Sequence, residues 1–385
     1  MPDQPMLHES GLIHSEYLPF TTEQLSQHFA TIISTDSGSS PEGASRHLAY
    51  FLASAQAGRD FDATALAGTA TDRAKAIRRA RQVEKDERFW VVTGLMSMFH
   101  APDRVGVLSG LLTRCFGETP PFDGFGCWAD ALGDGADLRL FFEVNLPSPP
   151  AYRAYLAQHL DERVLIPYVR ESATRAGARL EGATKVDAML LAPATGVAVL
   201  FEAKVLSDVS GGVEFDVLRN QMARNIDVML DKNHRLVAPL PERDPDRTCF
   251  ALLTPEIFRT YDESKLYGWL MNLYRQHPER LLAALPHRAD LDAHAVAKRL
   301  GWLTWEDFNR ELPGACPWLA TPATRVDSLA GGDHVGHAPT GGDRPTPTLA
   351  SRPGGDQDER VRAAYSGPIR AAAPRLRRRW LRCEA

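Results

Sequence analysis

No apolar run in the 385 residues approaches the roughly 20 that a membrane helix requires. The N-terminus has no basic start followed by an apolar stretch, so no secretory leader is read there. The five cysteines (Cys115, Cys127, Cys249, Cys316, Cys383) are scattered and never at zinc-ligand spacing, which argues against a zinc module. A reduced, cytoplasmic protein without a membrane partner is expected. Glycine-rich phosphate loops, helicase motifs and nucleophile elbows are missing, and so is any internal repeat. A large excess of one charge is missing too: the formal net charge is −5, which neither advertises nor excludes a nucleic-acid partner. Lysine itself is scarce. Only seven of the 44 basic residues are lysine, so a lysine in a special place is the less expected event.

What remains is an ordinary globular composition, 44% hydrophobic and 24% charged, long enough for two or so domains. Residues 1–150 read as a mostly helical region. "TTEQLSQHFATII" opens with a Thr-capped helix, and "RFWVVTGLMSMFH" and "RVGVLSGLLTRCF" carry apolar residues at helical spacing. "PSPP", Pro147–Pro150, breaks the chain and marks a boundary. Residues 151–260 alternate: helices at "AYRAYLAQHLDERVL" and "PYVRESATRAG", strands at "ATKVDAMLLA" and "VAVLFEAKVL", a helix over "FDVLRNQMARNIDVMLDK" with Leu218, Met222, Ile226 and Met229 on one stripe, and a strand at "TCFALLT". Residues 261–319 return to helix, where "GWLTWEDF" reads as a turn entering a helix capped by Thr304 and Asp307. Residues 320–385, rich in Gly, Pro, Asp and Thr, are expected to form a disordered C-terminal tail.

The two central strands share an oddity. Side chains alternate along a strand, so Glu202 and Lys204 project together, about 7 Å apart, after Ala198 and Leu200 on the same, less covered face. On the preceding strand Lys185 and Asp187 precede Met189 and Leu191 in the same way. A four-residue loop, Pro193–Gly196, would pair Ala192 with Val197 and so set Asp187 directly across from Glu202 and Lys185 across from Lys204. Opposed residues lie about 4.5–5.5 Å apart at Cβ. Two carboxylates at that distance repel unless a cation sits between them, and a loop one residue longer or shorter would send them to opposite faces. Magnesium suits such a site, since it takes one or two carboxylates, keeps waters and accepts phosphate oxygens. A neighbouring lysine can hold or activate a water and steady charge growing on phosphorus.

Asp187, fourteen intervening residues, then Glu202-Ala203-Lys204 on a hairpin between helices resembles the PD-(D/E)XK nuclease superfamily. The likeness covers about 151–255. It implies an α/β fold with a restriction-endonuclease-like core, a mixed β-sheet flanked by helices, with N- and C-terminal helical regions around it. It also implies a metal-dependent phosphodiesterase, an endonuclease on DNA in the first instance. Asp187 and Glu202 would bind magnesium (or manganese in its place), the Ala203 carbonyl would complete its shell, and Lys204 would assist the water. Family members that add an acid from the preceding helix make Glu171 and Glu162 accessory candidates. Others use a Gln with a Tyr four residues on; here Gln221 is present but Asn225 replaces the tyrosine, and Val186 replaces the proline of the family name. Many such nucleases pair two copies, so a homodimer is compatible.

Three readings compete with this one. The hairpin charges could be a solvated salt bridge, the chain could keep the fold for nucleic-acid binding or assembly without catalysis, or it could be a helical scaffold. Asp246 with Glu263 and Lys265 repeats the spacing outside any apolar strand, and His334 and His337 lie in the tail. Gln221, Asn225 and Arg224 also read as ordinary helix residues.

Overall fold

Short apolar segments become strands, and the helices between them cover both faces of the sheet they form. The structure of the chain, a computed structural model, describes residues 12–14, 18–29, 48–51, 69, 71, 86–176, 180–212, 215–232, 236 and 238–319. The chain divides into two units, Met1–Asp327 and Ser328–Ala385, and every described residue belongs to the first. The segment 320–385, with His334 and His337, lies outside the described residues.

A short antiparallel ribbon, β1 (Leu12–His14) with β2 (Leu18–Thr21), leads into α1 (Thr22–His28), where Thr21 and Gln24 form a capping box. Then come α2 (Glu87–Phe99), α3 (Arg104–Phe116), α4 (Trp128–Leu132), β3 (Arg139–Leu146), α5 (Pro150–Gln158), α6 (Leu160–Arg163) and α7 (Pro167–Ala176). The hairpin of β4 (Thr184–Ala192) and β5 (Val197–Ala203) follows, with α8 (Gln221–Met229) and β6 (Thr248–Thr254) after it. Helices α9 (Glu256–Thr260), α10 (Leu266–Gln276), α11 (Glu279–Ala284) and α12 (Ala293–Lys298) precede β7 (Leu300–Thr304) and α13 (Trp305–Glu311). The five-stranded sheet runs β3-β4-β5-β6-β7. Its first three strands are antiparallel neighbours, and β5-β6 and β6-β7 pair in parallel. Parallel neighbours need a crossover, which α8 supplies for the first pair and the helices from α9 to α12 for the second. The result is a mixed α/β fold with helices on both faces.

Both ends of the sheet come from segments read as helical. "RLFFEVNL" is β3, and "GWLT" is β7 rather than a turn, although Thr304 and Asp307 then cap α13 as expected. The sheet therefore extends on both sides of 151–260, and Pro147–Pro150 is a strand-to-helix turn within it. Periodicity cannot separate a buried strand of this length from a turn or two of buried helix. The helix expected from Phe215 begins only at Gln221, because the Asn220 side chain accepts from the Ala223 N–H and closes the first turn. Leu218 is left outside it, 55% exposed.

The core has two layers. One face of β5, Val197, Val199 and Phe201, packs with residues of α2, α3 and α13; the other, Ala198 and Leu200, packs with Met222 and Ile226 of α8 and Met271 of α10. A strand buried on both sides reads as a continuous apolar run, which "VAVLF" is. The even face is therefore not the less covered one, and the charges at its end are deeply placed.

Candidate active site

The hairpin turn sets the register. Pro193–Gly196 closes with Gly196 at φ +73°, a conformation that glycine adopts without steric cost. Ala192 pairs with Val197, and the ladder continues to Ala188 opposite Phe201. There it stops. One position further on, Asp187 turns its carboxylate to accept the Ala203 N–H at 2.7 Å, replacing the main-chain acceptor that a regular ladder would offer. Lys185 does not meet Lys204. It ion-pairs with Glu143 of β3 instead.

Glu202 and Lys204 are 2% and 4% exposed, so the charges are not a solvated salt bridge. The Lys204 ammonium donates to Glu202 Oε1 at 2.6 Å and to the Ala203 carbonyl at 2.9 Å. Glu202 Oε1 also accepts from Gln221 Nε2 at 2.6 Å, and Oε2 accepts from Asn225 Nδ2 at 2.9 Å. Gln221 and Asn225, one turn apart on α8, thus grip one carboxylate together. Arg224 faces elsewhere, 3.1 Å from Glu181.

Glu171 is exposed and ion-paired with Arg175 on α7, and Glu162 is exposed on α6; neither is brought to the cluster. The acid that does arrive is Glu87, at the first position of α2, with Oε1 3.6 Å from the Lys204 ammonium and Oε2 accepting from Ser207 Oγ at 2.9 Å. For a third acid the resemblance points to Glu162 and Glu171, in the helices just before the hairpin. Glu87 precedes it by about a hundred residues, and its only local mark is its place beside the capping Asp86, where an acid is favoured by the helix dipole anyway. The decoy residues Asp246 and Glu263 lie in separate 3₁₀ turns.

Electrostatics at the cluster are unfavourable in the way a cation would relieve. Burial raises the Asp187 carboxyl well above the usual range, and the Glu202 charge raises it further against the opposing pull of Lys204 and the Ala203 N–H. Burial also raises Glu202, despite Lys204 and Asn225. Burial disfavours the Lys204 charge, but Glu202, Asp187 and Glu87 outweigh it and hold the ammonium above its ordinary value. Among the described residues no group of three or more His, Cys, Asp and Glu side chains is arranged to hold a metal ion. A site here would offer two carboxylates and the Ala203 carbonyl, with water and substrate supplying the rest. That donor set fits a hard divalent ion of the magnesium type, which ordinarily keeps several waters.

Compared with family models, with curated proteins and with solved structures, the chain matches none. No helix among the described residues is long and apolar enough to cross a membrane.

Proposed function

We propose that the chain is a metal-dependent nuclease with a restriction-endonuclease-like core, hydrolysing phosphodiester bonds of DNA. One observation carries the reading: part-buried Asp187 of β4 and buried Glu202 and Lys204 at the end of β5 meet around Ala203, and both carboxyls are raised. Acids perturbed by burial together with a specific charged partner cluster at functional sites, although structural ion-pair networks perturb them as well. The mixed sheet, and a helix whose glutamine holds Glu202, support the same reading.

Asp187, Glu202 and the Ala203 carbonyl would hold magnesium, or manganese in its place. Bound there, the ion would polarise a phosphoryl oxygen and lower the pKa of a coordinated water. Gln221 and Asn225 fix the rotamer of Glu202. Lys204, kept as an ammonium by the acids around it, serves as a donor that orients the water and faces charge developing on phosphate. It is poorly suited to accept the water's proton.

A second reading has its own support. Lys204 already occupies Glu202 Oε1 and the Ala203 carbonyl, so the cluster is partly neutralised without a metal. A nuclease fold kept for nucleic-acid binding or assembly would have this feature. One assay separates the two: wild type and Lys204→Ala incubated with plasmid and single-stranded DNA in magnesium, manganese or EDTA. Cleavage by wild type alone, abolished by EDTA, is the expected result. DNA retained at low salt without cleavage in any metal would install the binding-only reading instead.

A further inference from the structure

Glu143 is the single non-glycine residue at positive φ among the described residues, at +56°. Residues other than glycine, asparagine and aspartate rarely adopt that left-handed region, because Cβ then crowds the backbone. Glu143 sits in the middle of β3, where no turn asks for it.

Its place in the sheet explains the anomaly. The β3-β4 register is unbroken from Arg139 opposite Leu191 to Leu146 opposite Thr184, except for one missing pair, Glu143 with Asp187. No residue is inserted, so this is not a bulge. The side-chain faces nevertheless change phase at that pair. Phe142 and Ala188 belong to the α2–α3 layer of the core, whereas Val144 and Val186, two residues further along their strands, belong to the α8–α10 layer. In a regular strand positions i and i+2 share a face. Both strands therefore roll over together at Glu143 and Asp187, and the roll frees Asp187 from the ladder. Its carboxylate is then aimed along the sheet at the Ala203 N–H instead of standing up from one face.

We infer that the left-handed backbone at Glu143 is the device that positions Asp187, so that Glu143 acts through its main chain as a positioning residue for the carboxylate pair. The Glu143 side chain does separate work: it ion-pairs with Lys185. The inference rests on the metal-dependent reading for its consequence, but the geometry can be tested without metal.

The test compares full-length Glu143→Gly, Glu143→Ala and Glu143→Val with wild type. All three remove the carboxylate, and they differ in how readily they take a left-handed conformation: glycine freely, alanine at a cost, the β-branched valine worst. Two readouts are taken, amide exchange at Ala203 by NMR on ¹⁵N-alanine-labelled protein without metal, and Mn²⁺ binding by calorimetry. The expected order is Gly, Ala, Val. Ala203 exchange stays at or below wild type in Glu143→Gly and rises at least tenfold in Glu143→Val. Mn²⁺ affinity stays within about threefold of wild type in the first and falls at least tenfold in the second. If Glu143→Val does not fold, the order of Gly and Ala decides. Equal losses in all variants would assign the role to the carboxylate, and no change in any would remove the role altogether; either result overturns the inference. Wild type that binds no Mn²⁺ would sink the proposed function instead, while the Ala203 exchange order would still judge the backbone geometry.

Discussion

Asp187 is held at a cost. Its raised carboxyl means that the folded state prefers it protonated, so the stability it contributes is present at low pH and lost as pH rises through its folded-state value. Replacing it by asparagine keeps an acceptor for the Ala203 N–H and removes the repulsion with Glu202. Asp187→Asn is therefore expected to melt a few degrees higher than wild type at pH 8, with the gap narrowing toward pH 4, and to lose metal-dependent cleavage. Calorimetry at the two pH values checks this; an unchanged or lower melting temperature at pH 8 would mean that the pair is not under electrostatic strain. Lys204 gives the complementary case. In the proposed site its ammonium holds two of the oxygens that would receive a metal, so on that proposal Lys204→Met should bind Mn²⁺ about tenfold more tightly while failing to cleave, tenfold corresponding to about 1.4 kcal/mol. Equal affinity in the two proteins would show that Lys204 leaves those oxygens free.

Helix α8 connects the cluster to a second set of buried charges. Its Gln221 and Asn225 hold Glu202, and on its far side Asp227, fully buried, accepts from Arg219, Arg288 and His287. Arg219 also engages Glu181 and stacks on the Tyr152 ring with its guanidinium carbon 3.4 Å from the centroid. Burial alone would raise the Asp227 carboxyl, but the His287 hydrogen bond and the Arg219 and Arg288 charges outweigh it and bring it down to about 2. A depressed carboxyl stabilises the fold above its unfolded value near 4, and that contribution, on the order of 2 kcal/mol, is lost as pH falls toward 2. Asp227→Asn should cost about 3 kcal/mol at neutral pH, because it leaves the buried Arg219 and the part-buried Arg288 with one partner fewer. It should also flatten the acid limb of the stability profile below pH 4. Urea titrations across pH measure both; a loss under about 1 kcal/mol would place the weight on Glu181 instead.

Across the whole molecule, segments far apart in the chain are tied to the sheet by single polar contacts. His28, at the end of α1, donates through Nδ1 to the Leu140 carbonyl of β3 at 2.9 Å, since a carbonyl can only accept. Its Nε2 therefore accepts from His100 Nε2, also at 2.9 Å. Burial is the main reason that the His28 imidazole falls from its usual range to about 4, with His100 adding to it. The folded state thus holds His28 neutral. Its contribution is intact above pH 6.5 and lost as pH falls from 6.5 to 4, where the unfolded chain takes up a proton that the folded one refuses; the full loss is about 3 kcal/mol. His28→Asn should reduce the slope of stability against pH in that window and leave the slope below pH 4 to Asp227. Identical slopes in variant and wild type would remove His28 from the account.

Much of the hairpin was legible in the sequence, because strand alternation and loop length are local rules. The even-length turn at Pro193–Gly196 fixed which residues oppose, and scarce lysine pointed to Lys204. The Thr21 and Thr304 caps were equally local. What the sequence could not supply was long-range. "RLFFEVNL" and "GWLT" are strands only because β4 and β6 offer them partners, and Leu218 is exposed only because Asn220 closes α8 after it. Glu87 reaches Lys204 because α2 packs on the sheet, a placement that no spacing within the hairpin encodes. The roll at Glu143 depends on two strands some forty residues apart turning over together. Sequence by itself determined which side chains could share a strand face, since that follows from a two-residue period. Only the tertiary structure decided which charges were buried, which acid came third and where Asp187 points, because those depend on packing between segments whose separation along the chain carries no local signal.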